Sequence, residues 1–384
     1  MTRRRRHWLL LPALYAAAQL PAHATNGDQM LGTNATQWGM AGAVIAAPQD
    51  SATLFYNPAG LTQLGMEEVR FDMGVGLLNP PREVNGIESD SNIYMIPNGA
   101  IAFRTSDRLT IGMGMGGISG MGVDFPAGAT SNTTVTNLQI FKLAPGFGYR
   151  VSNDLSLGAA LHINYQSLAM YYSNMPPLGN DLFLPQNQVY GVGLGMGATY
   201  NINKNWRVAG TYTSEQYMDE FRWNTEQGKY SMRLNGPAQT ALGTSYSNGD
   251  LVVEFDIKHI AFGDVMDTVT LNTPFGANAM PFGWESQLVY ALGTQYRLNE
   301  TFTVRGGINY GKSPIGPEDV NMNVGSPAIS EWHLAMGLTQ KLTKHVSTSF
   351  SYTHAFENEI TSSDGLTTIS LSQNLVHFQL TYST

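Results

Sequence analysis

From Glu67 to the C terminus, apolar residues recur at every second position, the period of a strand with one apolar and one polar face. Over 155–165 the odd positions carry Leu, Leu, Ala, Leu, Ile and Tyr, while the even ones carry Ser, Gly, Ala, His and Asn. One face suits lipid and the other suits water. The same alternation predicts strands near 67–78, 92–104, 108–118, 135–150, 154–170, 188–200 and 206–218. Seven more follow near 236–247, 250–262, 284–298, 301–312, 330–342, 345–357 and 370–382, which makes fourteen.

The connections alternate in length. Short ones carry turn chemistry at Ser106-Asp107, Ser152-Asn153-Asp154, 201–205, Asn248-Gly249, Asn299-Glu300 and Thr343-Lys344. Asn248-Gly249 is the clearest hairpin signal, because a two-residue turn needs positive φ at both central positions. Longer polar, Pro- and Gly-rich loops are predicted near 79–91, 119–134, 171–187, 219–235, 263–283, 313–329 and 358–369. Seven long loops and six short turns fit an up-and-down barrel with both termini on the short-turn side.

A repeat of roughly fifty residues supports that count, each repeat being one hairpin. Tyr149, Tyr200, Tyr246 and Tyr296 precede short turns, with Gly146, Gly197, Gly243 and Gly293 three residues earlier. Tyrosines at the ends of alternate strands make an aromatic girdle, extended by Trp206, Phe302 and Tyr382. A soluble β-sandwich with buried tyrosines is the competing fold.

Composition narrows the class. Charged residues are only 13% of the 384, and there is no cysteine, which excludes disulfide scaffolds, thiolate zinc sites and cysteine nucleophiles. Residues 1–24 read as a signal peptide: Arg3–Arg6, an apolar stretch from Trp8 to Leu20, and Ala22-His23-Ala24 as the cleavage site. The mature chain then starts at Thr25 with 17 basic against 29 acidic residues, an unfavourable balance for binding nucleic acid. With no later apolar run long enough for a spanning helix, membrane insertion must use the strands.

Glycines at spacing two, Gly112-x-Gly114-x-Gly116 and Gly191-x-Gly193-x-Gly195-x-Gly197, imitate nucleotide loops, but no helix follows them. They are expected to face the lumen where something crowds the wall. Residues 25–66 do not alternate: a small-residue stretch over 39–47 leads to Asp50, a cap for a short helix through Phe55-Tyr56, and then to Asn57-Pro58-Ala59-Gly60. A compact segment of this size suits a lumen plug.

Gly39-Met40-Ala41-Gly42-Ala43, Gln49-Asp50-Ser51-Ala52 and Tyr56-Asn57-Pro58-Ala59-Gly60-Leu61 resemble the N-terminal hatch of FadL-type outer-membrane transporters of hydrophobic compounds. Weaker matches are Ile96-Pro97-Asn98, Ala291-Leu292-Gly293-Thr294, Arg305-Gly306-Gly307 and Ser313-Pro314-Ile315. The resemblance implies an all-β, fourteen-stranded antiparallel transmembrane barrel spanning 67–384 with 25–66 as its hatch. It further implies passive movement of long-chain fatty acids or neutral and aromatic hydrocarbons across a bacterial outer membrane. The implied route is lateral, from an apolar groove among the loops to a wall opening at a kink in the third strand. Fatty-acid members present basic side chains to the carboxylate, yet 151–203 and 259–296 contain no Lys or Arg, which favours a neutral substrate. The chain also ends Tyr382-Ser383-Thr384 rather than in an aromatic residue.

Within this frame Asn57, Pro58, Ala59 and Gly60 are the expected hatch residues, with Pro58 fixing φ at a hinge. The lateral exit is expected at Pro97, Asn98, Gly99, Gly117 and Gly120, because Pro97 cannot donate to a ladder and the glycines ease bending of the third strand. Substrate-contacting residues are not legible. Two other functions compete: a barrel-wall lipid hydrolase using His162, His333 or His377, for which no nucleophile partner is identifiable, and an adhesin or receptor acting through its loops. An open diffusion porin conflicts with a plug. No cofactor, metal or catalytic group is expected. The expected partners of a monomeric barrel are an apolar small molecule, outer-membrane lipid and lipopolysaccharide, and the barrel-assembly machinery.

Overall fold

The computed structural model describes residues 25–129, 133–175 and 180–384, so the signal peptide expected over 1–24 lies outside the described residues. Among them, fourteen strands form the wall. These are β1 (Val69–Asn79), β2 (Tyr94–Arg104), β3 (Leu109–Phe125), β4 (Thr134–Arg150), β5 (Leu155–Met175), β6 (Asn180–Asn201) and β7 (Trp206–Thr213). The circle continues with β8 (Gln239–Ser247), β9 (Leu251–Ile260), β10 (Gln287–Arg297), β11 (Phe302–Gly311), β12 (Trp332–Lys341), β13 (Val346–Thr361) and β14 (Thr368–Ser383). Each strand pairs antiparallel with the next. A ladder from Arg70↔Ser383 to Asn79↔Asn374 then joins β1 to β14 and closes the barrel. Closure removes the two outer edges that an open sheet of these strands would expose.

The alternation read from the sequence gives the wall its two faces. On β5, Leu157 and Leu161 point outward and are exposed, while His162, Asn164 and Gln166 point inward and are buried. Val192, Leu194 and Met196 of β6 likewise face outward between inward glycines. Apolar outside and polar inside is the arrangement that lipid demands of a barrel. No helix among the described residues is long and apolar enough to cross a membrane. Tyr149, Tyr200, Trp206, Tyr296 and Tyr382 stand outward near the short turns, and the Trp206 and Tyr246 rings lie 5.2 Å apart. A second group, including Tyr310 and Trp332 at 4.5 Å, lies toward the long-loop end.

The predicted loops at 119–134, 171–187 and 358–369 are much shorter than expected. β3 runs to Phe125 before β4 resumes at Thr134, β5 and β6 reach Met175 and Asn180, and β13 and β14 reach Thr361 and Thr368. The physical reason is burial. The upper strands gain an apolar partner in the loops themselves, through one cluster with Phe125, Phe262, Trp284 and Leu371 and another with Leu168, Leu182, Leu184 and Trp223. The loops after β7 and β9 supply Phe221–Thr225, Gly228–Met232, Thr268–Thr273 and Gly276–Pro281, which pair into a separate four-stranded sheet. β7 is interrupted within its predicted span: its ladder pauses at Thr213, Gln216 turns inward to accept a hydrogen bond from Asn164, and Tyr217–Met218 pair again with β6.

Residues 25–66 are almost wholly buried and touch inward faces on opposite sides of the ring. Thr25 reaches His333 on β12 and Gln373 on β14, Ser51 reaches Asp72 on β1, and Val44–Ala47 reach Asp256 and Glu254 on β9. The segment therefore crosses the lumen.

Because the chain has no cysteine of its own, single substitutions report topology directly. Cysteine at Gln227, in the exposed tip between two loop strands, is expected to react with an impermeant maleimide on intact cells. Cysteine at Asn248 is expected to react only after the outer membrane is permeabilised, and the reverse pattern would invert the barrel.

Candidate functional site

The N-terminal segment is built on side-chain caps. Asp50 accepts from the Ala52 amide (2.9 Å) and so starts the 3-10 helix Ser51–Phe55, while its carboxylate also takes Gln37 Nε2 (3.0 Å) and the Thr36 hydroxyl. Asn57 caps Pro58–Gln63 by accepting from Ala59 N (3.2 Å), with Pro58 at the first helical position, where no N–H is needed. Its other side-chain atom, Nδ2, donates to the Ile45 carbonyl at 2.7 Å. Asn57 thus ties two stretches of the segment together.

The wall makes room for this unit by omitting side chains. A Cβ on Gly146 would fall 2.8 Å from Leu54 Cδ2, one on Gly148 2.9 Å from the Pro58 carbonyl oxygen, and one on Gly114 2.9 Å from the Phe55 ring. Gly158 and Gly197 are in still closer contact with Ala59 and with Asn57 Oδ1. Gly112, Gly114, Gly116 and Gly197 are therefore contact surface for the segment, whereas Gly191, Gly193 and Gly195 make room for Met218, Gln216 and His162 of the wall itself, and no helix follows either run.

Along β2 and β3 the ladder is incomplete. Pairing runs from Arg104↔Thr110 to Asn98↔Gly116 and stops there, although β2 continues to Tyr94 and β3 to Phe125. β3 changes register against β4 between Gly117 and Ser119. Further up, the seam is rejoined by the Tyr94 hydroxyl donating to Gly122 O (3.1 Å) and by Asp90 N donating to Asp124 O (2.9 Å). The free edge of β3 between these points is met from inside. Met30 N donates to Ile118 O (3.0 Å), Gln29 bridges to Ser119, and the Ser119 hydroxyl donates to Asp28 (2.6 Å). Burial raises the Asp28 carboxyl above its usual range, against the opposing pull of the Ser119 and Gln29 hydrogen bonds.

A cavity of about 300 Å³ lies at this seam, lined by lumen-side Thr25 and Met30 and by lipid-side Ile93 and Met95. It shares Met121, Leu138 and Ile140 with a second, apolar cavity of about 70 Å³ bounded by Leu168, Met170, Phe262 and Phe282. Ile140 also borders a void of about 20 Å³ with a mixed lining, in which Lys142, Gln29, Asn164 and Gln239 stand beside Ile118, Met218 and Pro237. Lys142 is buried on the inner face of β4, and none of the ion pairs among the described residues includes it. A 750 Å³ polar vestibule, bordered by Gln49, Arg207, Ser245 and Arg305, occupies the short-turn end.

The residues singled out from sequence fall into two places. Asn57, Pro58, Ala59 and Gly60 wedge within the lumen, where the first three meet β4–β6 near the short turns. Pro97, Asn98, Gly117 and Gly120 lie along the β2–β3 seam. Gly99 sits lower, in unbroken ladder between Met73 and Met115. It is Asn26–Met30, not 57–60, that touches the seam. Asn98 Nδ2 lies 2.8 Å from His377 Nε2, and His333 Nε2 is 3.0 Å from Thr25 N. His162 packs against Gly195, so the three lumen histidines have separate surroundings. Sequence reading passed over Lys142, Glu254 and Asp256, although charges at inward positions of strands bordered by lipid-facing residues were a usable signal.

The profile of the family described as outer membrane protein transport protein (OMPP1/FadL/TodX) matches residues 14–383. The chain belongs to this family. As a FadL/TodX-family protein it is a multi-pass β-barrel of the outer membrane. It is 22% identical over 372 residues to the long-chain fatty acid transport protein of Salmonella typhi, covering 80% of this chain and 82% of that one. Its fold matches the Ralstonia pickettii toluene transporter TbuX with a TM-score of 0.76 at 18% identity, covering 92% of this chain and 98% of that one. A Pseudomonas aeruginosa FadL homologue gives a TM-score of 0.78 at 15% identity, with 93% and 99% covered. The P. putida toluene transporter TodX gives 0.75 at 19%, with 92% and 99% covered. The family consists of transport proteins, and this member is a transporter of the FadL/TodX type.

Filling the receptacle should displace the segment without dissolving the wall. Gly158→Val is expected to weaken docking of 57–60 by about 1–3 kcal/mol, the usual range for overpacking. The folded barrel, identified by heat-modifiable migration, should then show thermolysin cleavage within 25–66 where the parent resists.

Proposed function

We propose that this protein moves hydrophobic compounds, long-chain fatty acids or neutral and aromatic hydrocarbons, passively from the cell surface into the outer membrane by lateral passage through its wall. The observation that carries the reading is the lapse of the β2–β3 ladder at Gly117–Gly122 beside a cavity lined by both lumen-side and lipid-side residues. Unpaired backbone is costly in a membrane wall unless something meets it, and here Asn26–Met30 does so from within. A solute leaving this way stays in apolar surroundings and keeps about 0.8 kcal/mol per buried CH₂ that an aqueous route would forfeit. Residues 25–66 act as the hatch, with Asn57, Pro58, Ala59 and Gly60 as its wedge against the wall.

Ile96 and Gly117 give the test, because a Cβ on Gly117 would lie 3.0 Å from Ile96 Cγ2 across the seam. In I96C/G117C the oxidised barrel is expected to take up radiolabelled oleate or toluene at least about tenfold more slowly than the reduced one, the bridge being short enough to fix the strands together. Equal rates in folded barrels would rule out passage at this seam.

Lys142 favours an acidic amphiphile over a neutral hydrocarbon. Its segment lies outside the Lys- and Arg-free stretches, and its void adjoins the apolar cavity through Ile140, Gly236 and Pro237. A buried ammonium without a counter-charge is unfavourable, and a carboxylate head would supply one. Lys142→Met is expected to weaken binding of a fatty acid roughly tenfold while leaving its methyl ester unchanged, as loss of one charged hydrogen bond predicts. Equal effects on both ligands, or none, would return the choice to neutral substrates.

A further inference from the structure

Val44–Ala47 makes its hydrogen bonds to the wall through its backbone. Asp256 accepts from the amides of Val44 (2.8 Å) and Ile45 (3.1 Å), and Glu254 accepts from Ala46 and from Ala47 (2.7 Å). Four successive amides are thus taken by two carboxylates standing on one face of β9. Arg207 of β7 donates to the Ala46 carbonyl at 3.0 Å, and Asn57 to that of Ile45. The stretch is flanked by a left-handed turn at Ala41 (φ 53°) and Gly42 (φ 78°) and by Pro48, two natural pivots.

Its position on the wall gives this grip a consequence. The inward residues of β8 are, in order, Gln239, Ala241, Gly243 and Ser245. Gln239 borders the void beside Lys142, and Ser245 borders the vestibule. Between them Ile45 and Ala46 cluster with Ala241, and a Cβ on Gly243 would lie 2.9 Å from Ile45 Cβ. β7 repeats the order: Thr213 at the void, Ala209 against the stretch, Arg207 at the vestibule. On β9 Val252 borders the vestibule just below Glu254. The whole distance from Gln239 to Ser245 is about 20 Å of strand, and small wall residues leave the middle of it to this one stretch.

We propose that Glu254 and Asp256 are the latch of an axial gate: they hold Val44–Ala47 between the void beside Lys142 and the vestibule, and releasing that grip opens a passage for water and small ions along β7–β9. The passage is separate from the β2–β3 seam and serves a different class of solute, since Lys142, Gln239, Ser245 and Arg207 border its two ends. Both oxygens of Glu254 accept backbone amides, and an amide side chain would put an N–H donor in place of one of them, so the latch depends on the acceptor oxygens of the two carboxyl groups.

The experiment is single-barrel conductance of the full-length mature protein in planar bilayers. E254Q/D256N, which keeps shape and volume, is expected to raise the open probability by about tenfold or more over the parent. Adding I45C/G243C and oxidising it should bring the variant back to parental closure, and reduction should reopen it. If the double variant does not yield heat-modifiable barrel, D256N alone is measured, with a smaller increase expected. Parental conductance in a folded latch variant would overturn the proposal. So would a raised conductance that the oxidised tether fails to suppress, because the leak would then run elsewhere.

Discussion

Every other feature of this protein follows from the requirement that, in lipid, each backbone N–H and C=O find its partner within the wall. Thirteen ladders between successive strands and the β1–β14 closure meet most of that requirement around the ring. Strand period then sends one set of side chains to lipid and the other inward, and because the outward set must be apolar, the inward set is free to be polar. Asp72, Glu254, Asp256, His333, His377 and Gln379 stand inside for that reason. The more extensive apolar clusters lie above the barrel, among the long loops, and smaller ones form inside it where the N-terminal segment meets the wall.

A polar lumen would be an open pore if nothing filled it. The N-terminal segment enters it with few charges of its own, offering backbone amides and caps to the carboxylates and amides of the wall. Its closest approaches are at glycines, where absent side chains leave the strand backbone itself as the docking surface. The same trade shapes the β2–β3 seam. Glycines at 117, 120 and 122 let β3 bend away from β2, and the hydrogen bonds lost there are partly replaced by Gln29 and Met30. Segment and wall are therefore mutually dependent: altering one leaves polar groups of the other buried without partners.

Much of this was legible in the chain. The period-two pattern, the Asn-Gly and Asp-containing turns and the tyrosines before them determine strand number, alternation and the end at which the termini meet. Asp50 declares its cap, and the alternating glycines declare inward positions under crowding; the cap at Asn57, read from sequence as part of a hinge, emerged only in the fold. Strand ends were less legible, because Leu168, Leu182 and Leu184 look like loop-flanking residues until the loops bury them. Lys142 was passed over because a basic residue was sought in other segments, and only the curvature of the ring brings β4 beside the apolar cavity. The grip on Val44–Ala47 could not be read at all, since backbone amides are common to every residue and Glu254 lies more than two hundred positions away. The sequence alone determined which residues face lipid and which face the lumen, because strand period is local. Tertiary structure decided which lumen residues meet, because barrel closure and the path of the N-terminal segment set distances between residues hundreds of positions apart.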